Sequence, residues 1–214
     1  MPNDNETDNQ VEIQWDLTID NMLANGCDQA KCFNWMHTEA YSRYNKLSTR
    51  MNITLNILIS LSGVANIVLG SVLKDSTLSS MGIGSGSIII GMVKMIQEQF
   101  NWTGMANDFK QSAKQWEIIT RKIQSQLILP YSGRKDCGTF LKFIKQDIDN
   151  ASETNTLIPK YIREKCNQEF GKIKDFDVPD ICGQVEHTTF YVPDTLSIPL
   201  SIGLSNNELK STTQ

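Results

Sequence analysis

Histidine is scarce: the 214 residues hold two, His37 and His187, far apart and outside any HxxxH or CxxC spacing of the kind zinc sites use. That excludes a histidine-built metal centre or acid–base pair, and no cofactor, no metal and no catalytic residue is expected. The five cysteines, Cys27, Cys32, Cys137, Cys166 and Cys182, are odd in number and follow no framework spacing, so free thiols in a reducing compartment are expected, with a Cys27–Cys32 disulfide left open. Lys and Arg are missing before Lys31, while Asp4, Glu6, Asp8, Glu12, Asp16, Asp20 and Asp28 are present. This is the reverse of a secretory leader, which opens on a basic segment. Most telling is the absence of charge from Met51 to Leu73, and again from Ser76 to Val93 after the pair Lys74-Asp75.

Each uncharged stretch, at 1.5 Å per helical residue, is about long enough to cross or nearly cross a ~30 Å hydrocarbon layer. A break of two residues holds no domain, so the pair reads as a membrane hairpin with both flanks on one side. The whole-chain mean hydropathy, slightly negative, conceals this because polar arms dilute the hairpin. Lys31, Arg43, Lys46 and Arg50 precede the first stretch and Lys94, Lys110 and Lys114 follow the second, whereas Lys74 is cancelled by Asp75 at the tip. The positive-inside bias then puts both termini in the cytosol. The competing reading is a buried helical hairpin of a soluble protein, kept alive by the Ser, Asn and Gly content of the stretches.

These polar and small residues fall on stripes. At 100° per residue Asn52, Asn56, Ser60, Gly63, Asn66 and Gly70 share one face of the first stretch, and Ser80, Gly84, Ser87 and Gly91, continued by Lys94 and Glu98, share one face of the second. Lipid does not drive helices together as water does, so small residues and cross-helix hydrogen bonds are the expected glue. The hairpin is expected to close on these stripes; a polar seam lining an oligomeric pore is the functional alternative. The segment Gly82-Ile83-Gly84-Ser85-Gly86 is no phosphate loop, since it lacks the preceding strand and the GK[ST] ending. The sequons at Asn52, Asn101 and Asn150 are expected to be unused at these positions.

The division expected is an acidic segment (1–28), a membrane-proximal helix (29–50), span 1 (51–73), a tip (74–75), span 2 (76–94), a cytosolic helical body (95–170) and an extended proline-bearing tail (171–214). Phe33, Met36, Ala40, Tyr44, Leu47 and Met51 recur at helical steps before the hairpin. Phe109, Ala113, Trp116, Ile119, Ile123 and Leu127 do so after it, up to the helix-stopping Pro130. Two shorter helices are expected over Cys137–Ser152, with Phe140, Phe143, Ile144 and Ile148 on the apolar face, and over Pro159–Phe170. From Gly171 the prolines suit an extended tail lying on another surface, and the first and last ten residues read as disordered. The fold class is all-α: a long antiparallel helical hairpin with two transmembrane spans, cytosolic arms, two further short helices and that tail.

Trp35-Met36-His37 with Tyr41 and Tyr44, followed by Ile59-Ser-Leu-Ser-Gly-Val-Ala-Asn66, resembles the SLATT-type two-span membrane proteins of large cytoplasmic DNA viruses of eukaryotes. Asn155-Thr-Leu-Ile-Pro159 with Tyr161-Ile162, the Phe170-Gly171 end and Asp177-Val-Pro-Asp-Ile181 resembles the proline-bearing segments after their second span. The likeness runs from about Trp15 to Cys182. The chain departs from that pattern in lacking a proline at the opening of the first span and in placing Val64 where a small hydroxyl residue usually follows the glycine. The resemblance implies no enzymatic residues. It implies a structural protein tying a virion's internal membrane to its capsid, with the bilayer, capsid or other virion proteins and a further copy of itself as partners and no nucleic acid. The alternative it implies is a pore-forming or membrane-perturbing effector; bacterial relatives carry nucleotide-sensing modules, and no such module is expected here.

Overall fold

The computed structural model describes residues 13–72 and 76–183 and, at residues 66, 69–72 and 76–85, the helical backbone without side chains. Every regular element among the described residues is helical. Five α-helices are formed by Leu17–Val72 (α1), Ser76–Phe100 (α2), Trp102–Leu127 (α3), Cys137–Glu153 (α4) and Lys160–Phe170 (α5), with short 3-10 turns at Tyr131–Gly133 and Asp180–Cys182. The acidic first residues and the segment from Gln184 onward lie outside the described residues.

α1 is the spine: 56 residues, or about 84 Å at 1.5 Å per residue. It begins at Leu17, twelve residues ahead of the expected membrane-proximal helix, because Asp16 caps it by accepting from the Ile19 N–H at 2.7 Å. The acidic residues of this stretch lie around a buried stripe of Leu23, Cys27 and Ala30. α3 runs antiparallel along α1 in one steady register. The Cys27 thiol meets the Thr120 carbonyl at 3.9 Å, the Asn34 amide donates to the Ala113 carbonyl at 3.2 Å, and the Ser48 and Thr103 hydroxyls bond at 2.6 Å.

Two clusters of buried side chains lie along this seam. At the far end Leu23, Cys27 and Ala30 pack on Trp116, Ile119 and Ile123, roofed by Phe140, Ile144 and Ala151 of α4. Nearer the hairpin Met36, Ala40 and Phe109 pack with Ile158, Ile162, Cys166, Val178 and Cys182, so α5 and the Asp180–Cys182 turn form the roof there. Phe33 stacks on Trp116 at 4.5 Å between ring centroids and joins the two clusters. The expected helices at 137–152 and 159–170 stand within a residue of α4 and α5, because Asp136 caps the first by accepting from the Thr139 N–H at 2.7 Å and Pro159 opens the second. Phe143, expected inward, is exposed: burial on α4 follows Phe140, Ile144 and Ala151. The described part of the expected extended tail, 171–183, is packed as well: Val178 and Cys182 are buried, and Phe176 stacks on Phe170 at 5.5 Å.

Arg134 closes the far end. Its Nη1 lies 2.5 Å from Asp20 Oδ1, its Nε donates to the Leu129 carbonyl at 2.9 Å, and its Nη2 donates to the Leu127 carbonyl at 3.2 Å. The guanidinium is held over the Trp15 ring at 4.8 Å and over the Tyr131 ring at 4.7 Å, with 4% of the side chain exposed. One side chain thereby satisfies carbonyls freed at the end of α3, neutralises a carboxylate of α1 and fills an aromatic slot. Arg134→Ala leaves Asp20 without its partner and is expected to destabilise the fold by roughly 3–5 kcal/mol. Arg134→Lys keeps the charge but loses the planar fork and is expected to fall between the two; urea unfolding in detergent micelles, followed by helical circular dichroism, checks the order.

Candidate membrane-facing hairpin

Past Met51, α1 continues unbroken, the uncharged run holding no proline to remove a backbone donor. Its neighbour there is α2. Two lone helices bury one strip of each other, and the rest stays exposed. Ile53, Ile57, Ile59, Leu61, Val64 and Val68 are all exposed on α1, reaching 74% at Ile67. Ile88, Ile89, Met92, Ile96 and Phe100 are exposed on α2, with Met95 at 66%. A contiguous apolar surface of this kind marks contact with lipid or with another apolar partner. Among the described residues no helix is long and apolar enough to cross a membrane.

The face on which the two helices meet differs from the expected polar stripes. On α1, Ser48 and Leu55 are buried and Ser62 is half-buried; on α2, Gly86, Ile90, Val93 and Gln97 are half-buried. Asn52 reaches across, its side-chain oxygen accepting from the Gln97 amide. Asn56, Ser60 and Gly63 are exposed, as are Ser87 and Gly91. Ser60 donates to its own helix at the Asn56 carbonyl, 2.8 Å away, and a Cβ built on Gly63 or Gly91 would meet nothing within 4 Å. The side chains of Asn66, Gly70, Ser80 and Gly84 lie outside the described residues.

Helix geometry accounts for the difference. Ser48, Leu55 and Ser62 recur every seven residues and stay within about 40° of one another, the repeat of a coiled-coil seam. Steps of four carry Asn56 and Ser60 about 80° and 120° round from Ser48. On α2 the observed strip has the expected spacing displaced by one residue throughout, Gly86, Ile90, Val93 and Gln97 in place of Ser87, Gly91, Lys94 and Glu98. The meeting strip is mixed, Leu55, Ile90 and Val93 beside Ser48, Ser62, Gly86 and Gln97, while Asn56, Ser60, Gly63, Ser87 and Gly91 look outward.

Between α2 and α3 the chain breaks at Asn101, a joint that helical periodicity alone does not reveal. Asn101 sits in the left-handed region at φ 39° and caps α3 by accepting from the Gly104 N–H at 3.2 Å. Gly104 is needed because a Cβ there would collide with the Asn101 side chain. The readable signal was Asn followed three residues later by Gly at the opening of an amphipathic stretch. Phe100 and Trp102 stack beside the joint at 5.5 Å.

The helical body offers little acid–base chemistry. His37 has no exposed surface, and neither ring nitrogen has a hydrogen-bond partner; Phe109 lies 5.8 Å away between centroids. Burial pushes its pKa down to about 4, although the nearby Asn155 side chain works in the opposite direction without reaching hydrogen-bond geometry. All five cysteines are free and buried, so Cys27 and Cys32 are not paired. The Cys166 thiol is pushed up to about 12: Cys182 favours its ionised form, but Cys32 and burial outweigh it. Cys182 is raised too, by Cys166 and by burial, with Arg163 opposing. No group of His, Cys, Asp and Glu among the described residues could hold a metal ion. No family model, curated protein or solved structure matches the chain.

Two outcomes are expected. Leu55→Ala empties the strip between α1 and α2 and should cost roughly 2 kcal/mol or more, whereas Gly63→Leu projects into open space and should be neutral within about 0.5 kcal/mol. Equilibrium unfolding in detergent micelles compares them. His37, neutral in the folded chain until about pH 4, takes up a proton in the unfolded chain near pH 6.5. Stability is therefore lost as pH falls through this window, by roughly 2 kcal/mol between pH 7 and pH 5. His37→Leu removes that part of the slope, as urea midpoints at the two pH values would show.

Proposed function

We propose that the chain is a two-pass integral membrane structural protein: residues 51–73 and 76–94 cross the bilayer, both flanks lie on the cytosolic face, and the helical body is a scaffold for other proteins. The observation that carries this is the run of exposed aliphatic side chains on both sides of α1 and α2, from Ile53 to Val68 and from Ile88 to Phe100, on a hairpin projecting from an otherwise conventionally packed body. In water, apolar area exposed on this scale costs about 25 cal/mol per Å²; hydrocarbon removes that cost while two backbone-satisfied helices leave no unpaired amide in it. Where the hairpin meets the body the chemistry changes as a bilayer boundary requires. Phe100 and Trp102 stack there, and Arg50 and Lys94 stand at the ends of the uncharged runs.

Within that reading, the resemblance to viral two-span proteins extends the role to tying a virion's internal membrane to its capsid. The body supports a scaffold more than a catalyst: its titratable core groups are a neutral histidine and neutral thiols, and its aromatic residues are spent on packing.

A second reading, a pore-forming or membrane-perturbing effector, is favoured by one observation. Asn56, Ser60 and Gly63 face away from α2, so a further copy could close on this polar stripe.

The anchor reading predicts that the full chain resists alkaline extraction, leaves the membrane only with detergent, and carries tags at Pro2 and Gln214 that are both reachable from the cytosolic side. Extraction at high pH without detergent, or tags on opposite faces, would contradict it. Deleting residues 184–214, which spares every described helix, should leave insertion intact and abolish incorporation into particles. Purified protein in liposomes should retain a trapped dye; leakage that disappears on Asn56→Leu would favour the effector.

A further inference from the structure

Three thiols from three separate elements meet in the core under α5: Cys32 of α1, Cys166 of α5 and Cys182 of the 3-10 turn. The Cys166 thiol adjoins both of the others, and the Cys182 thiol lies 3.7 Å from the Met36 sulfur. Neither the membrane reading nor the packing of the body requires cysteine at these places, since a small aliphatic side chain fills the same volume.

The three are not equivalent. Cys32 and Cys166 are fully buried and sit within regular helices; Cys182, 6% exposed, sits in a single short turn at the end of a strap, residues 171–183. Besides the Cys182–Met36 contact and the Phe176–Phe170 stack, Gln29 donates to Asp177 of the strap at 2.6 Å, and Arg163 Nη1 donates to the Ile181 carbonyl at 3.4 Å. Arg163 also carries a buried Nε with no acceptor, and its charge acts on Cys182. That charge favours the thiolate, but Cys166 and burial outweigh it and keep the Cys182 thiol protonated while the strap is docked.

We propose that Cys166 and Cys182 are a reversible thiol–disulfide pair, oxidised by a low-molecular-weight disulfide such as glutathione disulfide, and that the bond anchors the strap to α5. When the strap lifts, the Cys182 thiol gives up its proton, and its thiolate attacks one sulfur of glutathione disulfide. A mixed disulfide forms, and one glutathione thiolate leaves and takes a proton. The Cys166 thiolate then attacks the Cys182 sulfur and expels the second glutathione. Two protein thiols become one disulfide while one glutathione disulfide is reduced to two thiols. The short chain between Cys166 and Cys182 favours this pair over either one with Cys32, because closure of a short loop costs the least entropy. The inference rests on the body alone and stands whether or not the hairpin crosses a bilayer.

The test uses the full chain in detergent micelles, equilibrated in glutathione buffers from fully reduced to fully oxidised, quenched with acid, alkylated and mapped by peptide mass. The expected result is a linked Cys166–Cys182 peptide that accumulates with oxidation and disappears on return to reduced glutathione, with Cys27 and Cys137 alkylated throughout. Cys32→Ser should retain the link. Limited proteolysis within residues 171–183 should slow by about tenfold or more in the oxidised form, since the bond suppresses the opening that exposes the strap. Absence of the linked peptide in excess glutathione disulfide, or a dominant link to Cys32, would overturn the assignment. Unchanged proteolysis in a fully linked sample would overturn the anchoring role. Mapping of the unsubstituted chain decides the first question even if a cysteine variant fails to fold.

Discussion

The antiparallel register between α1 and its partners is the constraint on which the other contacts depend. It is continuous over the described length: Cys27 faces Thr120, Asn34 faces Ala113, Ser48 faces Thr103 and Asn52 faces Gln97. One side of the seam is a single unbroken helix, and the other is two helices joined at Asn101. The left-handed turn at Asn101 and the bare Gly104 beside it let the chain redirect without losing register. α4 and α5 then have fixed grooves to roof, and Arg134 locks the end at which a mismatch in register would accumulate. A slip of one helical residue would rotate every buried side chain of α1 by about 100° and empty both clusters at once.

The same seam has opposite surroundings at its two ends. In the body, α3, α4 and α5 pack around α1, and its Glu39 pairs with Lys165 of α5 at 3.0 Å. In the hairpin, α1 and α2 cover one strip of each other, charge is absent from Met51 to Leu73 and from Ser76 to Val93, and many of the described outward residues are aliphatic. Water can solvate the first arrangement at little cost but not the second; the change happens within a few residues of Asn101, beside a stacked aromatic pair. This contrast within one continuous helix, more than any single residue, supports a bilayer as the hairpin's surroundings.

Much of the body was legible because its signals are local. Asp136, Pro159 and Pro130 mark helix ends by mechanisms that need no tertiary context, and the apolar steps from Phe109 to Ile123 match the buried face of α3. The start of α1 was hidden because acidic residues surround Leu23, Cys27 and Ala30 on a helix that only tertiary packing reveals. Spacing in the hairpin disclosed pitch but not phase. Polar stripes and aliphatic residues repeat at similar intervals on the same helices, and only the folded hairpin shows which of them are covered, as Leu55 is fully and Ile90 and Val93 are in part. The strap was misjudged for a related reason: the prolines after Gly171, Pro179 first, signal extended backbone, yet Val178 and Cys182 find a preformed groove between α1 and α5. The thiol cluster joins residues more than a hundred positions apart, so nothing in local spacing could assemble it.

Spin labels placed singly at Ile57 and Ile89 in the hairpin, and at Leu157 in the body, test the central claim most directly, because all three side chains are exposed and tolerate a label. In liposomes the account predicts that labels at positions 57 and 89 are relaxed by dissolved oxygen, which concentrates in hydrocarbon, and shielded from a water-soluble nickel complex. The label at position 157 should show the reverse. Equal access of the nickel complex to all three positions would contradict a bilayer-embedded hairpin.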